Sequence, residues 1–532
     1  MRRANGAALL TGVLAVLATA LYLLFPLTGD DYGYMGSFRT IDGFDGPWPL
    51  ERLWRWFPFH WLHANGRLAN LFAMLSLTFL PKWLTALLMG AATWGMMALV
   101  LKLGGAWRGR PLAASAALAY IAVAYPWWDL MYTVDFNFNY PVAVCAGLGY
   151  VWVWRRWGCR SPLARSTRHP QEAGAEGERV GYTRHAATRQ DGGRWRTHER
   201  ASLRAGRWLA LVFCFVAGGF HESMGAPLLA ASVWVLFFNR ELPQWPVAAF
   251  GTGVAVAFSS PGIWGRAAAD RVADAPTVEL VLCSAPLTIA AVALFGGLLL
   301  SPRWREWMSR EARSWWGFWM AASVGALVFC AAGGIIGRSG WFSQTFALVA
   351  LLIWGKAAGM VNYTRHAASL RSASAGMRKV MAVGLGAAAV FFTAAPIPRV
   401  AEMAEAEAAA RRALEASDDG VVVAAMPVES GQPWWTLGRV RTLDADDYYL
   451  HQVIADYYKK PRFLILPPGW EGLPLTGELP DGALPIDAGR GSVGYPERFL
   501  YTAPGGEQGV YLFVPGAEGY LRVRRERDPG DV

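Results

Sequence analysis

The chain of 532 residues carries little charge for its length. Asp, Glu, Lys and Arg make up 17% of it, against about 25% in ordinary globular chains. The hydrophobic residue types reach 54%, and the mean hydropathy is +0.23. This composition excludes a disordered chain and a collagen-like chain. It is typical of a membrane protein that crosses the bilayer many times.

Lysine and cysteine are also scarce. The positive charge is almost entirely arginine, because only six lysines are present. The arginines cluster between apolar runs, as orientation signals do, so the pI of about 9.4 does not indicate a nucleic-acid partner. The five cysteines show neither a CxxC spacing nor a metal-ligand pattern. The sequence therefore predicts neither a disulfide framework nor a zinc site.

Eleven apolar runs approach the length of about 20 residues that spans a bilayer. They are residues 7–26, 84–102, 111–127, 140–157, 207–220, 224–238, 245–259, 278–300, 315–336, 341–358 and 379–395. The first run follows Arg2 and Arg3, which indicates a cytoplasmic N-terminus. We expect this run to stay in place as an anchor, because no convincing small-x-small cleavage site precedes the polar segment after it.

The basic loops test this set of spans. With eleven crossings, the loops that hold residues 102–110, 155–207, 303–313 and 356–379 all lie on the cytoplasmic side, and the C-terminus lies outside. A twelfth crossing at Leu68–Leu80 would break that agreement. That run is therefore predicted to be an interfacial helix on the outer surface.

Two domains follow from the change in composition along the chain. Residues 1–396 are predicted to form an all-α multi-pass membrane domain, in which residues 27–83 are a first outer loop with interfacial helices. Residues 158–206 are rich in Arg and Gly and predict a flexible cytoplasmic insertion that lies on anionic headgroups. Residues 397–532 predict a small extracytoplasmic α+β domain. Its predicted helices are Ala401–Ala416 and Asp446–Tyr458, and its predicted strands are Val421–Met426, Phe463–Leu466, Gly509–Val514 and Tyr520–Arg524.

The acidic pair Asp30-Asp31 comes directly after the first apolar run. An ionised carboxylate in hydrocarbon is costly, so these side chains must be solvated, paired or used in chemistry. Spacing alone favours the first alternative, an ordinary polar helix exit. The segment 47–67 that follows mixes tryptophans with His60, His63 and Arg67, which suits either a helix at the headgroup boundary or the stacking of sugar rings.

Other predicted outer loops carry compatible polar groups. Asp135, Asn137 and Asn139 suit hydrogen bonds to hydroxyls, and His221 with Glu222 forms an ionisable pair at a predicted membrane boundary. Arg266 and Arg338 follow two further spans. Each loop is a weak signal alone. Their convergence on one side of the membrane predicts a polar, partly embedded cavity with acids for hydroxyl activation and arginines for a phosphate.

The pieces GDDYGY, NGR, NFNYP, FHES, SPGIWGR and GRS, with DADDYYLHQVIADYYKK in the tail, resemble the GT-C superfamily of membrane glycosyltransferases. More narrowly, they resemble an uncharacterised bacterial branch near the GtrII-like glucosyltransferases. The resemblance covers most of the chain except the insertion 158–206. In SPGIWGR, Ile263 stands where this branch is expected to have a polar residue.

The resemblance implies an enzyme of the bacterial cell membrane. It would transfer a sugar from a polyprenyl-phosphate donor to a cell-envelope glycan or lipid acceptor on the outer face, with inversion. Asp30 or Asp31 would be the general base, and Arg266 or Arg338 would stabilise the leaving phosphate. The implied substrate-binding residues are Tyr32, Arg67, Asp135, Asn137, Asn139, His221 and Glu222. A divalent cation, Mg²⁺ or Mn²⁺, fits between the acidic pair and a phosphate, although no spacing requires one.

Two other functions remain open at this point. One is a transporter or flippase of lipid-linked sugars, which should show an internal repeat or charges in the middle of its helices. The ionisable groups here lie at predicted helix ends instead. The other is a non-catalytic scaffold whose outer domain binds polysaccharide. In an enzyme, that domain would either bind the acceptor through Trp434, Trp435 and Trp470 or cap the membrane cavity.

Overall fold

The structure, a computed structural model, describes most of the first 416 residues. The described ranges there are 6–27, 29–35, 50–125, 127, 131–158, 192–265, 285–299, 308–332, 340–365 and 371–416. Beyond them it describes residues 421–423, 454, 457–458, 464–466, 484–485, 498–502, 508–514 and 519–525. All regular structure in the described part of residues 6–416 is helical.

Sixteen α-helices lie in the described part of residues 6–416. In the first part of the chain they are α1 (Gly6–Leu24), α2 (Gly29–Met35), α3 (Leu50–His63), α4 (Leu68–Phe79), α5 (Lys82–Leu103), α6 (Pro111–Ala124), α7 (Val134–Asn137) and α8 (Ala143–Gly158). A π-helical turn, Phe138–Val142, joins α7 to α8. The later helices are α9 (Gly192–Gly219), α10 (Glu222–Phe238), α11 (Trp245–Phe258), α12 (Pro286–Leu299), α13 (Arg310–Ala332), α14 (Gly340–Arg365), α15 (Arg371–Ala394) and α16 (Ile397–Ala416).

The described residues of each of the eleven predicted apolar runs fall mainly on one of these helices, namely α1, α5, α6 and α8 to α15. Proline marks several helix starts, as at Pro111 and Pro246, because its missing N–H costs nothing in the first turn. The predicted interfacial run Leu68–Leu80 is also a helix, α4. Its position relative to a membrane stays a prediction.

Five helical segments are long and apolar enough to cross a membrane, judged by length and composition within the described residues. They are Gly6–Leu24, Lys82–Leu103, Arg310–Ala331, Gly340–Ala358 and the run Ala375–Ala416. Large apolar side chains on other helices also point outward, such as Leu209 at 73% and Phe237 at 74% exposure. Such surfaces suit lipid better than water. The structure is compatible with a membrane protein, and the count of eleven crossings stays a prediction.

The helices pack as neighbouring pairs around an apolar and aromatic core. The closest pairs are α1 with α5, α6 with α15, α9 with α11, and α13 with α14. Trp154, Trp319 and Trp341 are fully buried in this core. The helices therefore form one array.

Basic side chains gather at one end of the array. There Lys102 lies over Trp107, Arg155 over Trp315 and Arg207 over Trp245, at 4.6–5.4 Å from the ring centroids. Arg110 Nη1 donates to the Leu352 carbonyl at 3.1 Å. These cations belong to two of the loops that the positive-inside rule assigns to the cytoplasm. Most of the described residues of the predicted site lie at the opposite end of the array. There α1, α6 and α9 end, and α5, α10 and α14 begin.

Part of the insertion 158–206 is described by the structure, and its flexibility stays a prediction. Residues 192–206 form the first half of α9, in keeping with the good helix formers Arg, Ala, Leu and Glu among them. Residues 159–191 lie outside the described residues.

The C-terminal region contributes α16 and short strands. The strand β1 (Val421–Val423) pairs in parallel with β2 (Leu464–Leu466). An antiparallel set follows in the order β3 (Leu484–Pro485), β4 (Arg498–Thr502), β5 (Gln508–Val514) and β6 (Gly519–Arg525). The predicted helix Ala401–Ala416 falls on α16, and the predicted strands coincide with β1, β2, β5 and β6. Trp434, Trp435 and Trp470 lie outside the described residues, and the α+β domain as a unit stays a prediction.

Candidate functional site

The candidate site is built from helix ends. The segment that follows α1, the turn before α4, the α7 region and the N-terminus of α10 meet at the end of the array opposite to the basic one. Sequence positions as distant as 31, 67, 135 and 222 thereby join one connected set of polar contacts. The motifs within the described residues therefore lie close together at one end of the array, and their place on the outer side of a membrane stays a prediction.

Asp31 lies inside the protein on the short helix α2. Its side chain is fully buried, and its Oδ1 accepts a hydrogen bond of 3.1 Å from the backbone N–H of Asp135. A small hollow adjoins it, lined by Lys82, Thr85 and Thr133 and otherwise mostly by apolar and aromatic side chains. Asp30 is the neighbouring residue on α2, and its side chain lies outside the described part of the structure. A carboxylate is thus held in a fixed position at the edge of a hollow.

Arg67 and Glu222 form a buried, two-point ion pair. Arg67 Nε donates to Glu222 Oε2 at 2.7 Å, and Nη2 donates to Oε1. Burial alone would lower the pKa of Arg67, but the Glu222 carboxylate more than offsets it, so the pKa of Arg67 is raised. Glu222 also occupies the first turn of α10, where the helix dipole favours a negative charge.

Three asparagines connect this ion pair to the acidic residues. Asn65 Oδ1 accepts from the Arg67 backbone N–H at 3.2 Å and from Asn70 Nδ2 at 2.8 Å. Asn139 Nδ2 donates to Asn70 Oδ1 at 2.7 Å and to Asp135 Oδ1 at 2.8 Å, while Asn139 Oδ1 lies 3.5 Å from Arg67 Nη1. We call Asn65, Arg67, Asn70, Asp135, Asn139 and Glu222 the polar network. It ends at the backbone N–H that holds Asp31.

The π-helical turn explains why Asn139 and Asn137 play different roles. Thr133 caps the start of α7 by accepting from the Phe136 N–H at 3.4 Å, and Asn137 Nδ2 donates to the Met131 carbonyl at 3.0 Å. Asn137 therefore holds the preceding loop, whereas Asn139 belongs to the polar network. Turns of this kind are rare in proteins and are frequent at functional sites. The sequence predicted both residues equally and did not distinguish them.

His221 caps the N-terminus of α10. Its Nδ1 accepts from the Ser223 backbone N–H at 3.1 Å, and its ring packs against Tyr140 and Phe342, with centroids 5.4 and 4.8 Å away. The same Nδ1 lies 3.7 Å from Glu222 Oε2. Because an Nδ1 that accepts a hydrogen bond carries no proton, that last contact is not an ion pair in this tautomer. The Ser223 hydroxyl is buried beside these residues, with no hydrogen-bond partner among the described residues.

Two motif glycines hold the first outer loop against the end of α11. A Cβ on Gly66 would lie 2.5 Å from the Ala257 carbonyl oxygen, and a Cβ on Gly262 would lie 2.4 Å from the Ala64 nitrogen. Ser260 Oγ also donates to the Trp61 carbonyl. Only glycine permits such close backbone approach. The pieces NGR and SPGIWGR are thus adjacent in space, although nearly 200 residues separate them in the sequence.

Tyr32 connects α2 to the C-terminal region. Its hydroxyl donates to Glu407 Oε1 on α16 at 2.8 Å and lies 3.5 Å from the Tyr458 hydroxyl. Its ring makes an edge contact with Tyr457 at 5.2 Å. Burial and, next, the Glu407 carboxylate hold the pKa of Tyr32 well above its usual value. Tyr32 was predicted to bind substrate, and in the structure its hydroxyl contacts the protein itself.

Several residues of the site were not predicted from the sequence. Asn65 lies within the NGR piece, so the motif could have indicated it. Asn70 follows Arg67 by three residues, which is the spacing of one helix face, so that spacing could have indicated it. Lys82 precedes the predicted span 84–102 and was given no role in the site. Arg266 and Arg338, the predicted phosphate ligands, lie outside the described residues, and so do their contacts.

The divalent cation stays a prediction. Among the residues that the structure describes, no group of three or more His, Cys, Asp or Glu side chains is placed to hold a metal ion. Comparisons with protein-family models, with curated proteins and with solved structures find no match for this chain. The function is therefore argued from the geometry of the site.

Proposed function

We propose that the chain is a membrane glycosyltransferase of the GT-C type. It transfers a sugar from a polyprenyl-phosphate donor to a hydroxyl of a cell-envelope glycan or lipid on the outer face of a bacterial cell membrane. The acidic pair supplies the general base. The apolar helices, the polar helix ends and the resemblance of the motifs support this proposal.

The observation that carries it is the setting of Asp31. A carboxylate removed from solvent is retained at a cost unless it is paired or hydrogen-bonded. Here one backbone N–H fixes it, and a hollow lies against it. Proton abstraction requires a carboxylate within reach of the acceptor hydroxyl, and the hollow beside Asp31 is where that hydroxyl would lie. Asp31 is thus the better-supported base of the pair.

The chemistry is a single displacement. As the acceptor oxygen attacks the anomeric carbon, Asp31 takes its proton, and the bond from that carbon to the phosphate oxygen breaks. One displacement inverts the anomeric configuration. The polar network holds other groups in place and takes no part in the reaction. Arg67 Nε, Nη1 and Nη2 already donate hydrogen bonds to Glu222 and Asn139. Its task in this proposal is to hold the α7 N-terminus that fixes Asp31.

The test is release of free polyprenyl phosphate by the full chain in nanodiscs. Undecaprenyl-phosphate glucose and undecaprenyl-phosphate mannose serve as donors, with a lipid extract of the envelope as acceptor. Asp31→Asn should lower release by about a hundredfold or more, the usual contribution of a general base. Asp30→Asn reports on the second member of the pair. Glu311→Gln is the matched control, because it replaces an exposed carboxylate by a carboxamide at the basic end of the array. It should leave release unchanged.

Two results would overturn the proposal. Release that survives both Asp31→Asn and Asp30→Asn would remove the acidic pair as the base. The absence of release with either donor, accompanied by movement of the intact lipid-linked sugar between leaflets, would show a flippase. The described ionisable residues of the site lie at helix ends, which favours the transferase.

A further inference from the structure

Helix α2, which carries the proposed base, is too short to fix its own orientation. It has seven residues, whereas a helix of fewer than about 12 residues is marginal on its own. Its orientation must therefore come from the groups that its side chains contact. Asp31 and Tyr32 are consecutive residues on it, so their side chains point about 100° apart around the helix axis. The two side chains thus contact different parts of the protein.

Tyr32 holds the side of α2 that faces α16. The Tyr32 side chain is buried, and its hydroxyl donates to Glu407 Oε1 at 2.8 Å and lies 3.5 Å from the Tyr458 hydroxyl. On the other side of α2, Asp31 Oδ1 accepts from the backbone N–H of Asp135 at 3.1 Å. Helix α2 is therefore held between the start of α7 and α16, through two consecutive residues.

Helix α16 is a firm support for this contact. Its residues Val400 and Met403 are buried in the apolar core of the array, and the helix packs against α1. Glu407 follows Met403 by four residues, about one helical turn, so a core contact lies directly before it. The Lys82 ammonium interacts electrostatically with the carboxylates of both Glu407 and Asp31. Glu407 therefore lies near the hollow that Lys82 and Asp31 share.

We propose that Glu407 is a positioning residue for Asp31 and acts through the Tyr32 hydroxyl. The inference rests on the proposed transferase function and adds a residue of the C-terminal region to it. A general base works only within hydrogen-bond reach of the acceptor hydroxyl, and a displacement of about 1 Å can lower the rate about a hundredfold. Without the bond from Tyr32 to Glu407, α2 can turn about its axis and move Asp31 away from that position.

The test is the rate of polyprenyl phosphate release by the full chain in nanodiscs, with undecaprenyl-phosphate glucose and undecaprenyl-phosphate mannose as donors. Tyr32→Phe and Glu407→Leu should each lower kcat about tenfold and leave the KM for the donor unchanged, because the lost bond acts on the chemical step. The double variant should be no slower than either single variant. Glu407→Gln keeps an oxygen that accepts from Tyr32 and should retain kcat within about threefold.

Two matched controls separate positioning from a general loss of stability. Tyr150→Phe removes another buried tyrosine hydroxyl, which donates to Ser232 Oγ at 2.9 Å between α8 and α10. It should be destabilised about as much as Tyr32→Phe in thermal unfolding and should keep the wild-type kcat. Glu405→Gln removes an exposed carboxylate two residues before Glu407 on α16 and should also keep the wild-type kcat.

The route through Asp31 is tested in an Asp31→Asn background. There Glu407→Leu should cause little further loss, because the residue that Glu407 positions is no longer a base. A further tenfold loss in that background would show that Glu407 does not act through Asp31, and it would overturn the inference. A wild-type kcat in both Tyr32→Phe and Glu407→Leu would overturn it as well and leave the transferase standing. If wild type releases no polyprenyl phosphate from either donor, the transferase is wrong, and this inference is wrong with it.

Discussion

Tyr32 donates a hydrogen bond of 2.8 Å to Glu407, a residue 375 positions further along the chain. Tyr32 follows Asp31 on α2, and Glu407 lies on α16. The two helices are therefore fixed to each other next to the proposed base. Tyr457 and Tyr458 contact the same ring, so these two residues also lie against α2. The C-terminal domain as a cap over the cavity stays a prediction.

Removal of the Tyr32 hydroxyl should loosen this contact. Tyr32→Phe leaves the ring contacts with Tyr457 and Tyr458 and removes the donor to Glu407. We expect a loss of about 1.5–3 kcal/mol in the free energy of unfolding, the usual value of a hydrogen bond to a charged group. Thermal unfolding of the purified protein measures it. Glu407→Ala should cost a similar amount, and the double variant no more than either alone if the two groups interact only with each other.

Alkaline pH should act on the same contact. The pKa of Tyr32 is raised in the folded protein. The contact with Glu407 therefore contributes its full stability below the unfolded pKa of about 10. That contribution disappears as the pH rises through the folded pKa. Other tyrosines titrate in the same range, so the measured quantity is the difference between wild type and Tyr32→Phe. That difference in unfolding midpoint should be constant from neutral pH to about pH 9 and shrink above it. A difference that stays constant at higher pH would contradict the prediction.

The helices were predictable from the sequence, because apolar runs bounded by arginine and proline can be recognised without any knowledge of tertiary contacts. The runs 84–102 and 245–259 match α5 and α11 to within two residues. The helical start of α9 was missed because no hydrophobic period marks residues 192–206, where helix propensity alone operates. The π-helical turn at Phe138–Val142 was missed for a similar reason, since one extra residue per turn leaves no pattern in so short a segment.

The site was predictable as a set of residues but not as a geometry. The motifs gave Arg67, Asp135, Asn139 and Glu222, which the structure brings together. Their partners depend on distances across the fold, so the sequence could not predict that Arg67 pairs with Glu222. Lys82 was overlooked because it begins an apolar helix, where a lysine is usually only a boundary residue.

The ion pair between Arg67 and Glu222 should be costly to break on one side only. Arg67→Ala would leave the Glu222 carboxylate buried without its partner, and we expect a loss of about 3–5 kcal/mol. Arg67→Lys should recover only part of it, because one ammonium group cannot replace the two-point contact. The midpoint of chemical unfolding in a mild detergent measures both variants.

Two further variants check the cause of that loss. Arg67→Met combined with Glu222→Gln removes both charges and should be less destabilised than Arg67→Ala, because no unpaired charge remains. Glu402→Ala breaks the pair with Arg399, in which Glu402 is 63% exposed, and should cost less than about 1 kcal/mol. A double variant as unstable as Arg67→Ala would show that packing, not charge, sets the cost.

The two motif glycines should not tolerate a methyl group. Gly262→Ala would place its Cβ 2.4 Å from the Ala64 nitrogen, and Gly66→Ala would place its Cβ 2.5 Å from the Ala257 carbonyl oxygen. Backbone atoms cannot rotate away, so the loop must shift, at a cost of about 1–3 kcal/mol per variant. The shift moves the turn that precedes Arg67, so release of polyprenyl phosphate should also fall. Gly265→Ala is the matched control, because nothing lies within 4 Å of its added Cβ. If Gly262→Ala and Gly265→Ala unfold at the same temperature and release the lipid equally fast, the close packing of the first outer loop on α11 is not what orders the site.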